Sequence, residues 1–132
     1  MKVICYCRVA THDQMALQGQ ESELLQFADK HGYDVDQVIR EYGSALAKPR
    51  PVLQKLIDES ARPEIGGVLV NDLSRLHRNI LLMHDLAAKL SSQNVRIVSK
   101  LQKDALLNQL LYDTEWREMM LSLAKDSDPA TQ

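Results

Sequence analysis

The sequence predicts an α/β fold: a three-layer sandwich with a central, mostly parallel sheet of about four strands flanked by helices. Two observations carry that expectation. Short continuous apolar runs, the pattern of buried strands, alternate along the chain with apolar stripes at helical spacing. The length of 132 residues, 45% of them hydrophobic, suits one compact domain with a core of its own, without internal repeats or low-complexity linkers.

The elements follow in order. "KVICYCRV", Lys2 to Val9, reads as a first buried strand. Gln14 to His31 places Leu17, Leu24, Leu25 and Ala28 on one helical face, and Gly32 supplies the stop. "VDQVIREY", Val35 to Tyr42, is a weaker strand. "GSALAKPRP" reads as a loop, after which Pro51 opens a helix bearing Leu53, Leu56 and Ile57 that ends at Arg62-Pro63. "IGGVLVND", Ile65 to Asp72, is the clearest buried strand and feeds the charged junction "LSRLHRN". Asn79 then caps a helix whose inward stripe is Met83, Leu86, Ala87 and Leu90. "NVRIVSK", Asn94 to Lys100, is the fourth strand. Asp104 is placed to cap a last helix on which Tyr112, Trp116, Met119, Met120 and Leu123 share a face. The expected organisation is an α/β domain over 1–103, a C-terminal helix over 104–125 suited to a dimer contact, and a polar tail over 126–132.

Composition narrows the function classes. The net charge of −2 argues against a free-standing nucleic-acid binder, which carries a basic excess that displaces counterions from phosphates. Any DNA contact is therefore expected to be local. After Tyr112 the acids Asp113, Glu115, Glu118, Asp126 and Asp128 outnumber Arg117 and Lys125, so no basic tail is present and no DNA-binding domain is evident. The apolar runs are far short of the ~20 residues of a membrane helix, and no signal-peptide pattern opens the chain, so a cytoplasmic protein without a membrane partner is expected. Cys5 and Cys7 lie two apart on one strand face, where buried thiols are expected rather than a bridge or a metal site.

In an open α/β sheet, ligands bind at the carboxyl ends of the strands. Arg8 ends the first strand, Arg75 and Arg78 follow the third, and Arg50 stands at the end of the loop before the second helix. Guanidinium groups meet phosphate oxygens in fork geometry and stabilise charge on a transferring phosphoryl group. Arginines solvated or paired with acids such as Asp72 are the other reading of the same residues. His12 and His77 stand beside these positions and are expected to be exposed polar residues without a role, and His31 and His84 are given none.

The order of the residues narrows this further. "YCRVATHDQ", Tyr6 to Gln14, resembles the N-terminal signature of the resolvase/invertase-type serine recombinases, Y-x-R-V-S-T-x-x-Q. Leu17 and Gln20 resemble the helix segment that follows the signature, and "KPRPVLQKL" the loop and helix with the catalytic arginine, here Arg50. "VLVNDLSRLHRN" resembles L-[DS]-R-L-x-R-[ND], and "NVRIVS" the next strand. The resemblance covers residues 2 to 100 in the right order. It implies a resolvase-like fold and DNA strand cleavage and rejoining through a 5′-phosphoserine intermediate, with no metal or other cofactor. By the same resemblance Arg8, Arg50, Arg75 and Arg78 bind or activate the scissile phosphate, Gln14 and Gln20 support the pocket, and Ser74 stands where many members have aspartate and others serine.

Ala10 occupies the position of the nucleophile. A methyl group cannot attack phosphorus, so the chain is expected to be inactive in strand cleavage. The family's Ser-Gly pair after the second strand is replaced by Gly43-Ser44-Ala45-Leu46. Three functions follow as alternatives: a recombinase catalytic domain whose own cleavage step is disabled, a non-catalytic dimerisation or regulatory partner of an active recombinase, and a small phosphate-ester-binding α/β domain. The absence of a glycine-rich phosphate loop counts against the last. The expected partners are DNA, bound weakly by this chain alone, a second copy of the chain in a homodimer, and a recombinase hetero-partner.

Overall fold

A computed structural model of the protein describes residues 1–43, 50–101, 115, 118, 119 and 121–123. Strand and helix alternate as β1 (Lys2–Val9), α1 (Gln14–Lys30), β2 (Asp34–Tyr42), α2 (Pro51–Ser60), β3 (Ile65–Val70), a short 3₁₀ turn (Leu73–Arg75), α3 (Ile80–Ser92) and β4 (Arg96–Ser99). The four strands form one sheet in the order β2-β1-β3-β4, and every neighbouring pair is parallel.

Alternation along β1 explains the layering. Val3, Cys5, Cys7 and Val9 point to one face and pack with Leu17, Leu24 and Ala28 of α1. Ile4 and Tyr6 point to the other and pack with Leu53 and Leu56 of α2 and with Met83, Leu86 and Leu90 of α3. Both faces of β1 are covered, so the strand reads as a continuous apolar run. Cys5 and Cys7 are free and fully buried, and burial pushes their thiols up to about 11 and about 12.

The helix boundaries have local causes. Asp13 caps α1, its carboxylate accepting from the amide of Ala16 at 3.0 Å. At the far end Gly32, with φ of 73°, donates to Asp29 O while Tyr33 donates to Ala28 O at 2.9 Å, a Schellman stop. The same pattern ends α3: Asn94 takes φ of 62° and donates to Ser91 O, and Val95 donates to Leu90 O. Asn79 caps α3 as expected, accepting from Leu81 and Leu82. Pro51 is the first residue of α2, where its missing amide hydrogen is not needed.

Four expectations are corrected. Leu25 does not join the inward stripe of α1: it is 37% exposed, because Leu24 takes the buried position one residue, or about 100°, away. β3 ends at Val70 rather than Asp72, and β4 begins at Arg96 rather than Asn94, because Asn94 closes the turn after α3. β2 starts one residue early, at Asp34. The expected four-stranded, mostly parallel sheet is found, with every pairing parallel. At the C-terminal side Glu115, Glu118, Met119 and Leu121 to Leu123 are helical and exposed. Asp104, Tyr112, Trp116, Met120 and the boundary near residue 103 lie outside the described residues. Among the described residues no helix is long and apolar enough to cross a membrane.

Candidate functional site

The connection from β1 through α1 leads outward to β2, and the next connection returns past β1 to β3, so the chain reverses direction between β1 and β3. At such a reversal the carboxyl ends of the strands leave a crevice. An open cleft of about 510 Å³ lies there, lined by Val9, Gln20, Asn71, Asp72, Arg75 and Lys100 among others.

Arg8, the penultimate residue of β1, is buried at the base of this edge, 2% exposed. Its guanidinium donates from Nε to Arg75 O at 2.7 Å, from Nη1 to Gly43 O at 2.6 Å and from Nη2 to Ser74 O at 3.3 Å. It thereby ties the end of β2 and the turn after β3 to β1. Burial lowers the pKa of Arg8, and the charges of Arg50 and Arg75 lower it further. The backbone of Arg8 is held as well. Gln20 of α1 accepts from the Arg8 amide at 3.0 Å and donates to its carbonyl at 3.1 Å. Arg75 donates from Nη1 to the same carbonyl at 3.3 Å and pairs through Nε with Asp72 at 3.1 Å.

Beside it lies a second buried cluster. Arg50, the N-cap residue of α2, meets Glu41 of β2 side-on, Nη2 to Oε1 at 2.7 Å and Nε to Oε2 at 3.2 Å, with both side chains almost fully buried. Nη2 also donates to the Tyr6 hydroxyl at 2.8 Å, and that hydroxyl donates to Glu41 Oε1. Nη1 donates to Leu76 O and lies 3.3 Å from His77 Nδ1. Burial alone would raise the pKa of Glu41, but the hydrogen bonds from Arg50 and Tyr6 and the Arg50 charge outweigh it and hold the carboxyl below the ordinary range. Burial and the bond to Glu41 push the Tyr6 hydroxyl upward.

The expected site residues therefore fall into two groups. Arg8, Arg50, Gln20 and Arg75 come together at one sheet edge, with Arg8 and Arg50 engaged by the protein itself. Ala10, Gln14, Ser74 and Arg78 are exposed. Ala10 is the first residue after β1, and Ser74 Oγ donates to Asp72. His77 is half-buried against Arg50 rather than exposed, whereas His12 is exposed and its ring lies 4.7 Å from that of Tyr42. His31 is exposed and stacks on Phe27, and His84 is buried on α3. Glu41 and Tyr6 received no role from the sequence. The signal for Glu41 was there: it lies two residues from the core residue Ile39, on the same face of β2. Among the described residues no group of three or more histidine, cysteine, aspartate and glutamate side chains is placed to hold a metal ion.

The fold and the site define a parallel α/β domain with Arg8, Arg50 and Arg75 gathered at the carboxyl edge of its sheet. The particular family is shown by comparison: residues 3–125 match the resolvase N-terminal domain, and the chain belongs to that family, the catalytic domains of serine recombinases. The fold is similar to that of the N-terminal catalytic domain of TP901-1 integrase, at 24% identity and a TM-score of 0.73 over 92% of this chain and 98% of that one. It is also similar to the C-terminal catalytic domain of ISC1926 TnpA, an IS607-like serine recombinase, at 24% identity and 0.70 over 96% and 82%. The C-terminal catalytic domain of IS1535 TnpA, another IS607-like serine recombinase, is 27% identical with a TM-score of 0.62 over 96% and 99%.

Proposed function

We propose that this chain is a serine recombinase domain that binds DNA weakly and takes part in recombination assemblies without cleaving DNA itself. One observation carries the reading: Ala10, which the motif resemblance aligns with the family's serine, stands exposed just beyond β1, next to a carboxyl edge where Arg8, Gln20 and Arg75 are joined. In this reading Arg75 and Arg78 meet the backbone phosphate first, because both reach solvent, while Arg8 shapes the edge and Arg50 joins only when released from Glu41. Gln14 and Ser74 line the approach, and no metal or other cofactor takes part.

Exposed Met119, Leu121 and Leu123 support a second element of the reading, association through the C-terminal helix with another copy or with an active recombinase. A test of the DNA role is fluorescence anisotropy with labelled duplex at low salt. Weak binding that falls steeply with salt, and falls again in Arg75→Ala and Arg78→Ala, is the expected result. Binding unaffected by both substitutions, or no binding at all, overturns it.

A further inference from the structure

The Glu41 carboxylate sits on Arg50 as a phosphate would. Two oxygens face one edge of the guanidinium in fork geometry, the arrangement shared by carboxylate and phosphate ligands. Tyr6 donates a further hydrogen bond to the same carboxylate, and Leu76 O and His77 hold the remaining edge of Arg50. The pair is nearly closed to solvent, with 5% of the Arg50 side chain and 7% of that of Glu41 exposed. By contrast the partners of the Arg8 guanidinium are uncharged carbonyls, so its charge has no carboxylate among these contacts. Two of the clustered arginines are thus matched by acids, Arg50 by Glu41 and Arg75 by Asp72, and the more deeply enclosed pair is that of Arg50.

We propose that Glu41 is a built-in occupant of the Arg50 anion site: it stands in for a phosphate, holds the guanidinium in a closed and charge-compensated state, and must be displaced before Arg50 binds a phosphate ester. The inference deepens the phosphate reading above and rests on it. It makes Glu41 and Tyr6 positioning residues that set how readily the site opens. A bound carboxylate raises the free energy of any second anion at the same guanidinium, both by repulsion and by removing its donors.

The test uses the full chain, with inorganic phosphate as the probe and the arginine Nε–Hε cross-peaks in ¹⁵N NMR as the readout. In the wild type the Arg50 peak is expected to stay still at phosphate concentrations that shift it saturably in Glu41→Gln, with an affinity for the variant at least about tenfold tighter. Tyr6→Phe, which keeps the carboxylate but removes one of its donors, is expected to fall between the two. Tyr6→Phe carries the comparison alone if Glu41→Gln does not fold. An Arg50 peak that shifts with the same affinity in wild type and variants overturns the proposal, as does a folded Glu41→Gln in which Arg50 stays silent while Arg75 or Arg78 responds. Silence of every arginine in every protein removes the phosphate reading itself, and the proposal with it.

Discussion

At the scale of single residues, the decisive pair is Arg50 and Glu41. Removing one partner of a buried ion pair strands the other charge, so Arg50→Ala is expected to lower stability by about 3–5 kcal/mol in urea unfolding, whereas an exposed pair such as Arg40–Glu21 is worth under about 1 kcal/mol. Glu41 also sets a pH dependence. Its folded pKa lies below its ordinary value of 4.5, so its contribution is fully present above that value and is lost as pH falls through the folded pKa. Unfolding free energy measured from pH 6 downward should therefore show a decline that is shallower in Glu41→Gln; identical slopes would remove Glu41 from the acid response. The sequence made Arg8, Arg50 and Arg75 legible through their motif, but not the use to which the fold puts them. That use depends on backbone carbonyls of Gly43, Ser74 and Arg75, which carry no side-chain signature.

At the scale of elements, the strands and helices were largely legible because each had its own period and its own stop. Lys2–Val9 is continuous in apolar residues since both its faces are covered, and α3 begins at the asparagine its pattern required. Replacing that cap by alanine leaves the amides of Leu81 and Leu82 without their acceptor and is expected to cost about 0.5–2 kcal/mol, read as a lower denaturant midpoint at unchanged slope. An unchanged midpoint would mean that packing of Met83, Leu86 and Leu90 alone sets the start of α3. Strand order was not legible. Pairing β1 with β3 rather than leaving it at an edge depends on long-range contacts that no local period encodes, and the crevice between the two is a product of that order.

At the scale of the whole molecule, the proposed non-cleaving role requires a surface for assembly. Met119, Leu121 and Leu123 expose apolar area on one helical segment, and a dimer through it is expected to dissociate when Met119 and Leu123 become glutamate. Sedimentation should then change from dimer to folded monomer; a wild type already monomeric at micromolar concentration would contradict that assembly. The proposed loss of the nucleophile can be checked by incubating the wild-type chain at high concentration with nicked phosphorothiolate duplex and separating the mixture under denaturing conditions. No covalent protein–DNA species is predicted, because Ala10 has no atom that can form a bond to phosphorus. A denaturant-resistant adduct that disappears in Thr11→Ala or Ser74→Ala would contradict it and place the nucleophile on a neighbouring hydroxyl.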